Sequence, residues 1–502
     1  STEDDHGGST AVGYQALKVQ DSGAANKNVA VGFQAGVAVT TGIQNTLMGG
    51  HAGDALTTGS YNTAIGYNAL TTEDTGNYNT AIGRGALQDL DAGNAYNTAV
   101  GYNAGTNVTT GVESVFIGGA AGDAITTASA NVAVGYAALS TEDTMGNNTA
   151  VGYKALQDLN TGENGNTVAI GAEAGRRLST GVKNTIVGAL AGDHLTTGDY
   201  NVAIGYQALT TEDAHGRNVA VGYNTLRDLD AGADAYNVAV GYEAGKAIST
   251  GIKNTIIGGL AGDALTAGGE NVAIGYNALS TEDAHGRNVA IGNDTLASLD
   301  AGAEGYNTAV GYGTGYVMTT GIQNTLVGAL AGDAITTGNY NVAIGGNALS
   351  AEDAHSYNTA VGYNALRLQN AGADAYNVAL GYNAGENIST GTSNVLLGSQ
   401  AGDALTTGSH NVAIGRGALG GEDGDGRNVA VGHEALNTQN AGANATNVAM
   451  GYEAGHDVST GKWNTIIGGN AGDALTTGDN NIIIGYNAAA SAVGVDNTIT
   501  LG

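Results

Sequence analysis

Glycine recurs along this chain at an almost constant spacing, and each time it closes the same short phrase. The phrase reads Asn-Thr-Ala-Ile-Gly at 62–66 and Asn-Val-Ala-Val-Gly at 218–222, and it occurs about 29 times. The interval between successive glycines is 17 residues, lengthening to 18 or 19 once in every four phrases. The unit that repeats in full is therefore four phrases long, about 70 residues, and such a double period is typical of a stacked repeat protein.

The repetition also indicates the domain organisation. A chain of 502 residues would ordinarily form several globular domains, but unbroken repetition favours a single continuous array over 1–502. One phrase together with the turn that follows it is called a rung below. Residues 1–27 form a partial first super-repeat, and residues 28–502 form seven super-repeats of four rungs each.

The phrase itself predicts a β-strand. If its residues are numbered 1 to 6, as in Asn218 to Tyr223, positions 2 and 4 are mostly β-branched while positions 3 and 5 are mostly Ala and Gly. This alternation has the period of a strand, and a coil of 17–19 residues has room for two or three strands with their turns. We therefore expect an all-β fold, a parallel β-solenoid of about 29 rungs that extends on the order of 140 Å at ~4.8 Å per rung.

The composition agrees with hydrogen-bonded strands. The chain contains 85 glycines, no proline and no cysteine. Without proline, every backbone N–H is available as a donor to a ladder, and abundant Gly, Val, Ile and Thr argue against helix. The absence of cysteine excludes disulfides and thiolate metal sites.

The charge of the chain limits its partners. A formal net charge of −30 disfavours binding to nucleic acid and to anionic membrane surfaces. No apolar stretch approaches the ~20 residues that a membrane-spanning helix requires, and residues 1–8 contain no signal peptide. We expect a soluble chain with no nucleic-acid partner and no membrane insertion.

Asparagine occupies position 1 of nearly every rung. The exceptions are Ser9, Ser114, Thr167 and Thr498. Stacked asparagines can form hydrogen bonds from rung to rung, and asparagine also starts turns. We interpret this column as part of the fold rather than as a ligand site.

Four rung types follow one another in a fixed order, and the third type carries an acid at an unusual place. Its position 12 is glutamate where the other types have an apolar residue such as Val39, Leu56 or Leu90, and it has leucine at position 9. We expect this leucine to turn inward three residues early and the glutamate to lie in solvent. The glutamates concerned are Glu73, Glu142, Glu212, Glu282, Glu352 and Glu422.

Aspartates of the third and fourth rung types face each other one rung apart. The spacing places Asp74 beside Asp91, at a predicted distance of ~5 Å. Two carboxylates stacked this closely repel each other without a cation, so they are candidate Ca²⁺ ligands. The same residues also fit an exposed Asx turn. The candidate metal ligands are Asp74, Asp91, Asp213, Asp230, Asp283 and Asp300.

Histidine joins this acidic segment in several copies, at His6, His215, His285 and His355. Acids with histidine can act as metal ligands or acid–base groups. An enzyme, however, rarely needs one site at several heights, and no single position breaks the pattern to form a unique pocket. The sequence also lacks a nucleophile elbow, a phosphate loop and a His-Glu-x-x-His motif. We expect solvated turns and no enzymatic activity.

Tyrosines form two recurring sets. One set follows the phrase glycine, as at Tyr206 and Tyr223, and the other precedes asparagine, as at Tyr236 and Tyr306. Both sets predict short vertical stacks, which aromatic packing within a sheet explains. Exposed tyrosine beside Asp and Asn is also how glycan-binding surfaces are built, so sugar binding is a second hypothesis.

The stretch from Asn62 to Leu70, Asn-Thr-Ala-Ile-Gly-Tyr-Asn-Ala-Leu, resembles phage tail-fibre repeats and the related β-roll heads of trimeric autotransporter adhesins. The resemblance covers the whole chain. The adhesin heads have shorter repeats with Ser after Asn, so the spacing here favours the fibre group. The ending from Asp496 to Gly502 is similar to the passage that leads, in such fibres, into a self-cleaving chaperone domain.

The resemblance implies a homotrimeric fibre segment, structural and adhesive, that projects from a virion and contributes to host attachment. Its partners would be further copies of the chain, other fibre or virion proteins at its N-terminal end, and a glycan or protein of the host surface. Its location would be extracellular, on a virion or a cell surface.

A bacterial or archaeal extracellular adhesin, or a self-assembling surface filament, is the alternative. A membrane anchor in the flanking sequence would indicate the adhesin, and a chaperone domain would indicate the fibre. The chain begins within a third-type rung, so we expect further sequence before residue 1.

Overall fold

The computed structural model describes residues 8–21, 26–141, 144–211, 214–421, 423–424, 426–442 and 444–502. The chain divides into two compact units, Ser1–Ile252 and Lys253–Gly502. In both units the described residues form three-residue parallel strands and no helix, so no helix among them is long and apolar enough to cross a membrane. The predicted all-β parallel solenoid is confirmed, whereas the single continuous array over 1–502 stays a prediction.

The strands of the first unit are β1 (Thr10–Val12), β2 (Val29–Val31), β3 (Thr46–Met48), β4 (Thr63–Ile65), β5 (Thr80–Ile82), β6 (Thr98–Val100), β7 (Val115–Ile117), β8 (Val132–Val134), β9 (Thr149–Val151), β10 (Val168–Ile170), β11 (Thr185–Val187), β12 (Val202–Ile204), β13 (Val219–Val221) and β14 (Val238–Val240).

The strands of the second unit are β15 (Thr255–Ile257), β16 (Val272–Ile274), β17 (Val289–Ile291), β18 (Thr308–Val310), β19 (Thr325–Val327), β20 (Val342–Ile344), β21 (Thr359–Val361), β22 (Val378–Leu380), β23 (Val395–Leu397), β24 (Val412–Ile414), β25 (Val429–Val431), β26 (Val448–Met450), β27 (Thr465–Ile467), β28 (Ile482–Ile484) and β29 (Ile499–Leu501).

Within each unit, consecutive strands pair in parallel and in register. Ile65 of β4 lies opposite Ile82 of β5, which is 17 residues further along the chain. Where the interval is 19 residues the register is kept, because Val151 of β9 lies opposite Ile170 of β10. The two inserted residues are therefore accommodated in the turns and leave the strand columns undisturbed.

Each rung contains one strand, not the two or three expected from its length. Left-handed backbone at positions 7 and 9, as at Asn68 (φ 56°) and Leu70 (φ 54°), interrupts any further extended run. The turns nevertheless bond to the next rung, since the N–H of Leu70 donates to the oxygen of Ala86 at 3.0 Å. Donors are needed in turns as well as strands, which agrees with the absence of proline.

The strand alternation places the small residue inside the coil and the branched residues outside. Ala64 of β4 is fully buried, while Thr63 and Ile65 on either side of it are partly exposed. The glycine at position 5 lies so close to the next rung that a Cβ on Gly66 would overlap the carbonyl of Gly83. Neighbouring backbones therefore approach each other closely along this glycine column.

The large side chain that fills the core stands at position 3 in some rung types and at position 9 in others. Second-type rungs carry a large residue at position 3, such as Phe116, and glycine at position 9, where a Cβ on Gly122 would meet the Phe116 ring. Third-type rungs reverse the arrangement, with Ala64 at position 3 and Leu70 at position 9, both fully buried. The predicted inward turn of the third-type leucine is confirmed.

Asparagine at position 1 is buried and joins consecutive rungs. The side-chain oxygen of Asn45 accepts a hydrogen bond from the N–H of Asn62 at 2.9 Å, and its amide nitrogen donates to the oxygen of Gly59 at 2.8 Å. Where serine replaces asparagine, the hydroxyl of Ser114 accepts from the N–H of Asn131 at 3.2 Å. The structural role is confirmed, and most of these bonds run from side chain to backbone.

Alanine should be tolerated very differently at two glycines of the same rung. At Gly222 (φ 141°) a Cβ would overlap the carbonyl oxygen of Gly241 in the next rung. We expect Gly222→Ala to force two rungs apart and to cost at least about 3 kcal/mol of folding free energy. At Gly232 (φ 68°) no atom lies within 4 Å of the added Cβ, so Gly232→Ala should cost only about 1 kcal/mol. Thermal unfolding followed by circular dichroism measures both, and equal losses would contradict the glycine-column interpretation.

Candidate functional site

The outward side chains of positions 2 and 4 form two columns along each unit, which together are called the aliphatic face. In-register pairing stacks these residues one above another at ~4.8 Å. Position 4 residues are substantially exposed: 42 % for Ile170, 41 % for Leu397 and 45 % for Met450. Along the first unit, β1 to β14 extend the face on the order of 65 Å at ~4.8 Å per rung. Contiguous apolar surface on this scale marks an interaction site.

The outward orientation of this face was not predicted from the sequence. The alternation shows that two sets of residues face opposite ways, and it does not show which set is inside. The available signal was volume, because leucine at positions 9 and 12 already fills the coil, as Leu87 and Leu90 do in one fourth-type rung. An interior filled in this way has room only for alanine at position 3.

The predicted aspartate pairs do come together, at a place called the acidic corner. Carboxylate oxygens of Glu73, Asp74 and Asp91 lie within 4.8 Å of one another, and both aspartates are exposed. A second acidic corner brings together Glu282, Asp283, His285 and Asp300 within the same limit. Among the other candidates, Asp230 is exposed, and Asp213 lies outside the described residues.

The third-type glutamate is not in solvent, which corrects the sequence-based expectation. Glu73, Glu282 and Glu352 are fully buried. One carboxylate oxygen of Glu73 accepts a hydrogen bond from the N–H of Gly76 at 2.6 Å, and the other accepts from the N–H of Ala92 at 3.4 Å. The glutamate therefore satisfies backbone donors in its own turn and in the next rung. Glu142, Glu212 and Glu422 lie outside the described residues.

Histidine adds a further partner at two of these glutamates. The N–H of His355 donates to Glu352 at 3.1 Å, and its ring Nδ1 lies 2.7 Å from the same oxygen. At the second acidic corner, the N–H of His285 donates to Glu282 at 3.1 Å. The Glu-Asp-x-His segment is thus a turn closed around a buried carboxylate rather than a fully solvated turn. His215 is partly exposed, and His6 lies outside the described residues.

Burial shifts the protonation of these glutamates. It raises the pKa of Glu73 to about 7, and the charges of Asp91 and Asp74 act in the same direction, against the hydrogen bonds from Gly76 and Ala92. Burial also raises the pKa of Glu282 and of Glu352, with His285 and His355 opposing the shift. A cation at an acidic corner would rest mainly on the exposed aspartates, since the glutamate oxygens already accept backbone donors.

The predicted tyrosine stacks are confirmed where consecutive rungs both carry tyrosine, as at Tyr206 and Tyr223, whereas Tyr236 and Tyr306 lie beside arginine side chains. Tyr61, Tyr78 and Tyr96 lie face to face with centroid distances of 5.2 and 4.9 Å, and each ring remains about half exposed. Face-to-face stacking leaves mainly ring edges and hydroxyls for solvent. Fewer tyrosine ring faces are therefore free to stack on a sugar than the number of tyrosines indicates. Further stacks are Tyr206–Tyr223–Tyr242, Tyr340–Tyr357–Tyr376, Tyr136–Tyr153 and Tyr363–Tyr382.

One polar cavity breaks the repetition, contrary to the expectation that no position forms a unique pocket. It has a volume of about 340 Å³ and lies in the second unit. Its floor is formed by Gly417, Gly420 and Gly421, where the preceding super-repeats carry side chains at most copies. The polar residues around it are Gln400, Asp403, Arg416, Glu434, Asn437 and Thr438.

Lowering the pH should stabilise the folded chain by protonating the Glu73 carboxylate. Because its folded pKa of about 7 lies above the ordinary value of 4.5, the folded chain binds this proton more tightly than the unfolded chain does. The contribution is fully present below about pH 4.5 and is lost as pH rises through 7, a change of about 3 kcal/mol. Glu73→Gln, which is neutral at every pH, should be more stable than the wild type at pH 8 and similar to it at pH 5.

Thermal melts between pH 5 and pH 8 check this expectation. Asp91→Asn serves as the matched control, because it removes an exposed carboxylate from the same corner and should leave most of the pH dependence. An unchanged pH dependence in Glu73→Gln would show that the buried carboxylate is not its source.

Calcium binding at the aspartate pairs stays a prediction with a direct test. We expect Ca²⁺ at one hundred times its Kd to stabilise the chain by about 2.7 kcal/mol per site and a chelator to reverse the effect. The double change Asp74→Asn and Asp91→Asn should reduce the shift in Tm, whereas Asp89→Asn, outside the acidic corner, should not. A Tm that changes with neither Ca²⁺ nor the chelator would exclude the calcium site.

The chain matches no protein-family model, and no curated protein matches it. The aliphatic face, the acidic corners and the tyrosine stacks are the surface features that bear on its function.

Proposed function

We propose that this chain is a structural and adhesive fibre segment, most simply part of a viral tail fibre, that works as a homotrimer joined through the aliphatic face and contributes to attachment at a host surface. The observation that carries the proposal is a partly exposed, uncharged face that continues rung after rung, with aliphatic residues at position 4 and mostly valine or threonine at position 2. A solitary chain would leave that surface in water at a cost of about 25 cal/mol per Å².

The distribution of charge supports self-association through this face. The chain has a formal net charge of −30, yet none of the described strands contains a charged residue. Acids are placed in the turns, as at the acidic corners, and the strand columns contain only Val, Ile, Leu, Met, Thr, Ala and Phe. Repulsion between copies is thereby kept away from the surface on which they would meet.

The spacing of the columns favours a second copy of the same chain as the partner that packs on the aliphatic face. Side chains repeat at ~4.8 Å along the face, and a partner whose own side chains repeat at that distance can interdigitate over the full length. An unrelated surface would match only locally. Threefold rather than twofold association is suggested by the fibre resemblance and by the narrow width of the face, two residues about 7 Å apart.

Adhesion would use the turns that remain outside the trimer. Tyrosine stacks recur along the chain, and other tyrosines lie beside cations instead: Arg287 lies 5.4 Å from the Tyr306 ring centroid and Lys183 lies 5.2 Å from that of Tyr200. Repeated weak contacts on one body gain strength by multivalency. A host glycan or protein would meet many copies of one surface element instead of a single pocket.

The mass of the particle in solution tests the proposal. Light scattering should give three times the chain mass of 49.5 kDa. The triple change Leu380→Lys, Leu397→Lys and Ile414→Lys places three charges on adjacent rungs of the aliphatic face, and we expect it to reduce the particle to single chains. These side chains point outward, so circular dichroism of the variant should still show a folded chain.

Three lysines in exposed turns of three adjacent rungs from the same region provide the control. Asn370, Thr390 and Thr407 are exposed in turns, and changing them to lysine adds the same charge without touching the face. The control should retain the wild-type mass. A monomeric wild-type chain would refute self-association, and a stable dimer would refute the homotrimer.

A further inference from the structure

The repeat pattern is broken at one corner of the second unit in a way that changes its chemistry. Position 6 of a fourth-type rung is His433, where the same place in an earlier super-repeat holds Tyr223. Position 7 is Glu434 in place of Asn224, and position 10 of the next rung is His456 in place of Lys246. Each of these departures introduces a side chain of the kind that binds metal ions.

The fold brings these residues together. Glu434 and Glu453 occupy position 7 on neighbouring rungs, and the N–H of Glu453 donates to the oxygen of His433 at 2.8 Å. One ligand atom each of His433, Glu434 and Glu453 lies within 4.8 Å of the other two. His456 lies beside this group, because its Nε2 is 3.8 Å from the second oxygen of Glu434.

We propose that His433, Glu434, Glu453 and His456 bind one divalent transition-metal ion, with Zn²⁺ as its representative. Zn²⁺ takes four nitrogen or oxygen ligands at about 2.0–2.2 Å, which places the ligand atoms roughly 3.4 Å from one another. The two imidazoles lie 3.8 and 3.9 Å from Glu434, and a rotation of the His456 side chain would bring its ring to the other three ligands. Imidazole beside carboxylate favours this ion class, whereas Ca²⁺ prefers oxygen ligands alone.

The balance of charge at this corner favours an added cation. In the two earlier first-type rungs that carry glutamate at position 7, this glutamate is paired with a permanent cation three residues later: Glu173 with Arg176 at 2.8 Å and Glu243 with Lys246 at 3.2 Å. Here histidine replaces that cation, while a second carboxylate is stacked one rung away. A bound metal ion supplies the positive charge that lysine or arginine supplies elsewhere.

The ring of His433 is held in place but not satisfied. It stacks on Tyr452 with a centroid distance of 5.1 Å, which fixes its plane. Its Nδ1 is shielded from solvent and has no hydrogen-bond partner among the described residues. The stacked ring presents its Nε2 to Glu434 at 3.9 Å, and a fixed ring orientation is a feature expected of a ligand site.

Arg416 occupies the position of the cation when no metal is bound. Its Nη1 lies 3.2 Å from Nε2 of His433 and 3.9 Å from Glu434. The side chain is 61 % exposed, so it can swing into solvent when an ion arrives. The polar cavity floored by Gly417, Gly420 and Gly421 opens beside Glu434 and gives the ion a route of entry.

Internal repetition provides variants that should fold. The triple change His433→Tyr, Glu434→Asn and His456→Lys restores the residues found at Tyr223, Asn224 and Lys246, where the chain already tolerates them. Isothermal titration of the full chain with ZnCl₂ should show one site per chain in the wild type. Affinity at this site should fall at least about 100-fold in the triple variant, with Tm in the absence of metal nearly unchanged.

A second variant tests the role assigned to Arg416. Arg416→Tyr, which restores the residue at Tyr206, removes the competing cation and should tighten Zn²⁺ binding several-fold. Co²⁺ in place of Zn²⁺ should give the intense visible absorption of a tetrahedral ion with the wild type and not with the triple variant. Equal Zn²⁺ affinity in the wild type and the triple variant, or no binding by the wild type, would overturn the proposal, as would binding of Ca²⁺ in preference to Zn²⁺.

Discussion

The hydrogen bonds of the position 1 asparagine hold this architecture together. Most of these buried amide oxygens accept the position 1 N–H of the next rung, as Asn184 does from Asn201 at 2.8 Å, and many of the amide nitrogens donate to a carbonyl near the end of the same rung, as Asn184 does to Gly198 at 2.8 Å. The three-residue strand covers only a small part of a coil of 17 residues. The asparagine ties the far end of the coil to its beginning and thereby sets the register of all the side-chain columns.

Some of the structure could be predicted from the sequence, because residues that are one rung apart in the sequence contact each other when the rungs stack. The 17-residue register was enough to place Asp74 beside Asp91 and Tyr206 beside Tyr223. The inward turn of Leu70 followed from the loss of the apolar residue at position 12. The orientation of the strand face did not follow, because alternation is symmetric until the interior volume is known.

The buried glutamate shows why the remainder was missed. An acid in an otherwise apolar column is expected to seek water, and that expectation placed Glu73 in solvent. Its burial depends on two backbone donors, at Gly76 and Ala92, whose convergence is a property of the folded turn. The polar cavity was missed for a similar reason, since Gly417, Gly420 and Gly421 border one space only after the chain has turned.

The exchange of volume between positions 3 and 9 makes neighbouring rungs complementary, so a rung cannot be moved freely within the array. The first-type Gly105 accommodates Leu87 from the rung before it and Phe116 from the rung after it. Removing the second-type rung would take away Phe116, which fills the space beside Gly105 of the rung before it, and would leave a void inside the coil. Adding or removing a whole super-repeat, about 70 residues, keeps every such contact, so the packing of the core favours changes of length in steps of that size.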